Sequence, residues 1–153
     1  MPDVLLDTGV WFGYFVKNDV FHYDANLLVK ELISGKNKIL MPEVERFELL
    51  NALTHELLNH EKVQKIRDDL RSLSPSLEIR YGDTDFWDDV LPANLPRMFL
   101  KPLDFIIASY ALHWKVDGFY SFDQKLNDAV RRLNPKIVKL KIKKGQVTRI
   151  KAS

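Results

Sequence analysis

The segment on which the predicted fold rests is residues 100–123, LKPLDFIIASYALHWKVDGFYSFD. Pro102 suits the first turn of a helix, where a missing N–H costs nothing, and an acid such as Asp104 is favoured there by the helix dipole. Gly118 is expected to end this helix. The apolar run 119–122 then predicts a short buried strand that places Asp123 at its carboxyl end.

The earlier part of the chain repeats this alternation of strand and helix. Residues 4–6 predict a buried strand that ends at Asp7, and Thr8 is expected to cap the next helix with its hydroxyl. Residues 38–41 and 77–81 predict further strands, with helices over about 19–34, 42–60, 62–73 and 124–133. This alternation predicts an α/β fold with three layers, α/β/α, and a central, mainly parallel sheet.

In the helix predicted over 42–60, the expected environment of Glu48 differs from that of Glu45 and Glu56. Its apolar positions recur every three or four residues, and Glu48 lies at the border of that stripe. Glu45 and Glu56 are expected to point toward water. The expected inward residues are Val44, Phe47, Leu50, Leu53, Leu57 and Leu58.

Four acids from separate segments are expected to meet at one edge of the sheet. Asp7 and Asp123 follow strands, while Glu48 and Asp104 lie early in helices that begin or end at the same edge. Such a cluster needs cations or raised pKa values, and ligands that are all oxygen select hard ions. We therefore expect Mg²⁺ or Mn²⁺ at this edge. Ser121 is expected to hydrogen-bond a carboxylate there. The alternative is that it is only a small residue of the strand.

Length and composition bound the classes of protein that need consideration. The chain has 153 residues, of which 46% are hydrophobic and 29% charged, as in an ordinary globular domain. It has no cysteine, which excludes disulfides and thiolate metal sites. No apolar run is long enough to span a bilayer, and the first residues lack the basic region of a signal peptide. A cytoplasmic location without membrane contact is the resulting expectation.

The charge is distributed unevenly along the chain. Residues 136–153 carry seven basic residues and no acid, whereas residues 1–135 have a net charge of −5. Lys139, Lys141 and Lys143 alternate with apolar residues, which predicts a strand with one wet, basic face. We therefore divide the chain into a main domain, 1–135, and a basic C-terminal extension, 136–153, expected to be an edge strand or hairpin of the same domain. The three lysines are expected to bind RNA phosphates, unless they only face solvent.

Four motifs, VLLDTGVWFGYF, FELLNAL, LDFIIASYAL and YSFDQKL, together resemble the PIN domain family over about residues 4–139. Within that family the chain is most similar to the VapC-type ribonuclease toxins of toxin–antitoxin pairs. The resemblance implies that Asp7, Glu48, Asp104 and Asp123 bind Mg²⁺ or Mn²⁺ and act in catalysis, with Thr8 and Ser121 in support. Family members often carry another acid two residues after the last aspartate, where this chain has a lysine.

The function expected on these grounds is metal-dependent endoribonuclease activity, in which a deprotonated water attacks an RNA phosphodiester. The expected partners are RNA, an antitoxin protein and a second copy of the chain. The alternative is a non-catalytic RNA- or protein-binding module that keeps the fold. Lys125 favours this alternative, and the four acids favour the enzyme.

Overall fold

The central sheet of the protein has four parallel strands. The structure is a computed structural model that describes residues 1–137, together with the backbone of residues 139–143 and 146–150. Within the described residues the strands of this sheet lie in the order β3-β2-β1-β4. Their bounds are β1 (Asp3–Leu6), β2 (Lys38–Pro42), β3 (Leu77–Arg80) and β4 (Gly118–Tyr120).

Helices connect these strands, as crossovers between parallel strands require. A π-helical turn (Phe86–Val90) and a 3₁₀ turn (Leu95–Arg97) flank the fifth helix. The helices are α1 (Thr8–Phe15), α2 (His22–Ser34), α3 (Glu43–Leu57), α4 (His60–Ser72), α5 (Leu91–Asn94), α6 (Pro102–His113) and α7 (Gln124–Leu133).

The sheet is covered on both faces by separate apolar clusters. Val4 and Leu6 of β1 pack into the cluster that includes Trp11, Leu32 and other residues of the first helices. Leu5, which points to the opposite face, packs into the cluster formed mainly by α6 and α7. The predicted three-layer α/β/α fold with a parallel sheet is therefore confirmed.

The strand order creates a crevice at one edge of the sheet. The strand β1 pairs with β2 on one side and with β4 on the other. The chain order thus reverses beside β1, and in open α/β sheets such a reversal opens a crevice at the carboxyl ends of the strands. Asp7 follows β1 at this point, and its backbone N–H donates to the carbonyl of Tyr120 over 2.8 Å. The hydrogen bond joins the carboxyl ends of β1 and β4.

Several predicted helix boundaries and orientations were wrong. The α3 helix ends at Leu57 rather than near residue 60, because Leu58 adopts a left-handed conformation with φ 46°. Leu58 and Phe47, both expected inside, are exposed, as is Leu27 of α2. The periodic apolar pattern was wider than the face that the helix buries.

The segment between α6 and β4 also differs from the expectation. The α6 helix ends at His113, five residues before Gly118, and Lys115 takes the left-handed conformation with φ 52°. Gly118 is instead the first residue of β4. A Cβ there would lie 2.9 Å from the ring of Tyr120, so this glycine is required by close packing rather than by the end of a helix.

The C-terminal strands form a separate antiparallel pair. The backbone of β5 (Lys139–Lys143) pairs with that of β6 (Gln146–Ile150), and β5 lies beside α7 and β4. The side chains of Lys139, Lys141 and Lys143 lie outside the described residues, so their predicted contact with RNA stays a prediction. No helix in the described part of the chain is long and apolar enough to cross a membrane.

Candidate metal centre in an acidic cleft

Asp7 forms the buried floor of a cleft at the crevice between β1 and β4. Only 8% of its surface is exposed, and its Oδ2 accepts a hydrogen bond from the Ser121 hydroxyl over 2.9 Å. Burial raises the pKa of Asp7 to about 7. The Ser121 hydrogen bond opposes this rise, whereas the charges of Asp104 and Glu48 add to it. The buried carboxyl is therefore held among other acids.

Ser121 connects two of the predicted acids. Besides donating to Asp7, its Oγ accepts from the backbone N–H of Asp123 over 3.0 Å. The buried Asn127 side chain holds the carbonyl of Ser121 over 2.7 Å. Asp123 itself is exposed and caps α7, because its Oδ1 accepts from the N–H groups of Lys125 (2.9 Å) and Leu126 (3.4 Å). The hydrogen bond expected from Ser121 to a carboxylate is thus present, and its supporting role at the site stays a prediction.

Thr8 does not cap α1 as expected. Asp7 occupies the N-cap position, and Thr8 is the first residue of the helix. Its hydroxyl donates instead to Oε2 of Glu48 over 2.6 Å. The contact joins α1 to α3 and fixes the Glu48 carboxylate at the wall of the cleft.

Asp104 supplies the opposite wall from the first turn of α6. Its side chain is half-buried, and its pKa is raised, mainly by burial and next by the charge of Asp123. Lys101, the residue before α6, opposes this rise. Asp104 and Asp123 line the same cavity, so the two aspartates face a common space.

We call this space the acidic cleft. It has a volume of about 460 Å³, and the structure brings all four predicted acids, together with Thr8, into its wall. A fifth acid, Asp19, was not predicted, and its Oδ2 accepts from the N–H of Phe21 over 3.0 Å. A helix was expected over about 19–34, but α2 begins at His22, so Asp19 lies in the turn before the helix, and its place in the cleft could not be read from the helical pattern. The five acids of the cleft are Asp7, Asp19, Glu48, Asp104 and Asp123.

Aromatic side chains also line the acidic cleft. Phe12, an aromatic residue of α1, lies in its wall. Phe21 and Phe122 belong to the same wall and stack on each other with ring centroids 4.4 Å apart. Rings beside acids exclude water from one side of the carboxylates, which strengthens electrostatic interactions there.

The expectation that Glu45 points toward water was wrong. Glu45 is completely buried on α3, and neither of its carboxyl oxygens has a hydrogen-bond partner among the described residues. Burial raises the pKa of Glu45 well above its ordinary value, and the charges of Asp7 and Glu48 raise it further. A buried carboxyl group whose charged form is disfavoured thus lies close to Asp7 and Glu48.

The donor set of the cleft fits a hard divalent cation. Its candidate ligands are all carboxylates, the donors that Mg²⁺ and Mn²⁺ prefer. As the side chains stand, no three Asp, Glu or His residues within the described ranges are grouped closely enough to hold one ion. Burial is the main cause of the raised pKa values of Asp7 and Asp104, and the charges of neighbouring acids add to it; a bound cation would favour the ionised carboxylates against both effects.

A family model gives the same assignment as the fold and the cleft. Residues 4–131 match the model described as "PIN domain". The chain belongs to the PIN domain family. The predicted resemblance is therefore confirmed, and it extends over the sheet and every acid of the cleft. Among proteins with curated descriptions, none matches the chain.

Several solved structures are similar to this chain in fold. The chain is similar to Mycobacterium tuberculosis VapC20, a toxin that cleaves the Sarcin-Ricin loop, with a TM-score of 0.64, 16% identity and coverage of 82% of this chain and 94% of that one. It is also similar to a chain of Rickettsia felis VapBC2 bound to a DNA fragment from its promoter, with a TM-score of 0.58, 18% identity and coverage of 83% of this chain and 92% of that one. PAE2754 from Pyrobaculum aerophilum also matches, with a TM-score of 0.54, 21% identity and coverage of 84% of each chain. At these identities the likeness concerns the fold.

Proposed function

We propose that this PIN domain is a metal-dependent endoribonuclease. The observation that carries the proposal is the set of five acids in one cleft at the switch point of the sheet, with the buried Asp7 held by Ser121. A cleft with this charge suits a reaction at a phosphate only when a cation is present. Likeness in fold to VapC20, a toxin that cleaves RNA, supports the same chemistry.

Asp7, Glu48, Asp104 and Asp123 would hold the Mg²⁺ or Mn²⁺. When bound, such an ion supplies the activation of water and the neutralisation of phosphate charge that phosphodiester hydrolysis requires. The chain's own contribution is to orient the carboxylates: Ser121 directs Asp7, and Thr8 directs Glu48. Hydrogen bonds of this kind from the surrounding shell typically change metal affinity or activity by about 10–100-fold.

The biological setting that we propose is a toxin–antitoxin pair. Likeness to VapC20 and to VapBC2 supports it, and an antitoxin protein and a second copy of the chain are the proposed protein partners. Lys139, Lys141 and Lys143 are proposed to hold RNA phosphates, because seven basic residues and no acid follow residue 135. A body with net charge −5 needs such a surface to bind a polyanion.

The test is cleavage of single-stranded RNA with and without divalent metal. We expect cleavage with Mn²⁺ or Mg²⁺, no cleavage in EDTA, and recovery when metal is returned. Full activity in EDTA would exclude the metal mechanism. RNA binding without cleavage under every metal condition would favour the non-catalytic binding module, the alternative that Lys125 supports.

A further inference from the structure

We propose that a second cavity beside the acidic cleft binds the substrate RNA next to the cut phosphate, with a base stacked on Phe99 and phosphates held by Lys125 and Arg132. The inference rests on the proposed function, since it assigns the path of the same substrate. We call this cavity the basic groove. It has a volume of about 600 Å³ and is lined by Phe99, Leu100, Lys125, Asp128, Ala129 and Arg132.

One face of α7 forms one wall of the basic groove. Lys125, Asp128, Ala129 and Arg132 follow one another at helical spacing, so their side chains share that face. Ala129 is buried and small, which leaves room between the two basic residues. The opposite wall is the segment that leads into α6, where Phe99 and Leu100 lie.

Phe99 presents an aromatic ring to solvent. Its surface is 84% exposed, although the residue before it, Met98, is only 4% exposed and packs in the core. The anchored neighbour holds the backbone, so the ring projects from a fixed position. An exposed ring next to basic side chains is the arrangement on which single-stranded nucleic acids stack their bases.

The charge of the basic groove suits phosphates. Lys125 and Arg132 are exposed, and neither forms an ion pair with a residue that the structure describes. The acid of the groove, Asp128, accepts a hydrogen bond from the Gln124 amide over 2.7 Å. The residues that line the groove therefore carry two positive charges against one negative charge, a balance that favours a polyanion.

The basic groove and the acidic cleft are built on the same two elements. The first turn of α6 places Asp104 in the cleft, and the segment just before it places Phe99 in the groove. At the start of α7, Asp123 lies in the cleft and accepts a hydrogen bond from the N–H of Lys125, which lies in the groove. A strand with one phosphate in the cleft therefore has its neighbouring nucleotides at the groove.

This placement also gives a role to the lysine at position 125. An acid there would add negative charge beside Asp123, whereas Lys125 adds a cation that faces the strand. The lysine that stands where family members often carry an acid thus strengthens binding of the phosphate backbone. An extended RNA strand fits this combination of ring and cations better than an apolar protein segment does.

The test measures affinity for a fluorescent single-stranded RNA by anisotropy at several salt concentrations. Asp104→Asn protein in EDTA prevents cleavage during the measurement. Into it we introduce Phe99→Ala, Lys125→Gln or Arg132→Gln. We expect Phe99→Ala to weaken binding roughly tenfold. Each of the other two should lower the log–log salt slope by about 0.7.

Two matched variants serve as controls. Phe99→Tyr keeps an aromatic face and should retain the affinity that Phe99→Ala loses. Arg71→Gln removes an exposed arginine of α4 that lines a different cavity, with no residue in common with the groove or the cleft. It should leave both affinity and salt slope unchanged. All variants are exposed positions, and their melting temperatures should equal that of the parent.

The outcomes separate this proposal from the proposed function. If the groove variants bind RNA as the parent does while wild-type protein cleaves RNA with Mn²⁺, the groove assignment fails and the ribonuclease stands. If they lose RNA affinity but wild-type protein never cleaves, the groove stands and the ribonuclease fails. Equal effects of Arg71→Gln and Arg132→Gln, or loss of binding to a protein partner with RNA affinity unchanged, would also overturn the groove assignment.

Discussion

The acidic cleft and the basic groove lie on either side of the first turn of α7 but are held in different ways. In the cleft, Asp7 is buried and hydrogen-bonded to Ser121, and Glu48 is hydrogen-bonded to Thr8. In the groove, Lys125 and Arg132 extend into solvent. A reacting group must be positioned to within a fraction of an ångström, whereas a phosphate backbone can be held by mobile cations.

This contrast predicts how substitutions in the two regions differ. Changes in the cleft should lower the rate at saturating RNA, because they remove groups fixed around the reacting phosphate. Changes in the groove should alter affinity and its salt dependence with little effect on that rate. Cleft and groove should therefore be separable by kinetics.

The largest expected effect is that of Asp104→Asn. The substitution removes a charge from the cleft wall. It should lower the cleavage rate by more than the roughly 10–100-fold that is typical when a residue that only orients a metal ligand is lost. The metal-free protein should stay folded and gain heat stability, since repulsion with Asp123 is relieved. Single-turnover cleavage with Mn²⁺ and thermal melting provide the measurements. Asp68→Asn, on exposed α4, is the control, and activity equal to that control would remove Asp104 from the site.

The second expected effect concerns the pH dependence of metal-free stability. Burial raises the pKa of Asp7 from its ordinary 3.8 to about 7. Because the folded pKa is the higher one, this carboxyl contributes stability that is fully present below about pH 4 and lost as the pH rises through about 7. The free energy of unfolding that this buried carboxyl contributes should fall by on the order of 4 kcal/mol over that pH range.

Urea unfolding in EDTA across that pH range measures the loss. Asp7→Asn should flatten the decline, and Mn²⁺ should reverse it in wild-type protein, because the ion stabilises the ionised carboxylate. Lys125→Gln, in the groove, should show the wild-type decline. A flat profile for wild-type protein would mean that Asp7 is not the buried, repelled acid that the structure places in the cleft.

The third comparison is between Glu48 and Glu45, which mark the wall of the cleft and the space behind it. Glu48→Gln should lower the cleavage rate by about 10–100-fold or more, because a charged group of the wall becomes neutral. Glu45→Gln replaces a completely buried acid whose charged form is disfavoured by burial, and it should leave the rate nearly unchanged. Its effect should appear in stability instead.

The sign of that stability effect follows from the raised pKa of Glu45. Wild-type protein loses stability as the pH rises through the folded pKa, whereas glutamine does not ionise. Glu45→Gln should therefore unfold at higher urea concentration than wild type at alkaline pH and at the same concentration in acid. Equal losses of rate in the two variants would mean that Glu45 also acts in the cleft.

The smallest expected effect belongs to the basic C-terminal extension. Replacing Lys139, Lys141 and Lys143 with glutamine should lower the salt slope of RNA binding by about 0.7 for each phosphate that is no longer neutralised. Turnover at saturating RNA should change little. The measurement is RNA affinity at several salt concentrations, and an unaltered slope would mean that these lysines only face solvent.

The strand ends and helix starts were readable from the sequence because each has a local cause. Asp7 follows a short apolar run, and Asp104 follows Pro102 in the first turn of a helix. Parallel strands bring such positions to a common edge, so the meeting of the acids could be predicted without distances. The family resemblance, confirmed over residues 4–131, rests on the same local motifs.

Orientation around α3 could not be read in the same way. Phe47 and Leu58 are apolar but exposed, whereas Glu45 is an acid and is completely buried. Helical periodicity predicts which residues share a face of the helix, but it does not predict how much of that face other elements will cover. Packing of α3 against α1, α4, α6 and β2 decides its burial, and two of these elements, α1 and α6, are far from α3 in the chain.

By itself, then, the sequence determined the order of strands and helices, the four acids and the family, because these depend on local patterns of polarity and turn-forming residues. Only the tertiary structure decided that Thr8 bonds Glu48, that Asp19 joins the cleft and that Glu45 lies behind it. It also placed Phe99, Lys125 and Arg132 around one groove. Each of these depends on the packing of segments far apart in the chain, which no local pattern encodes.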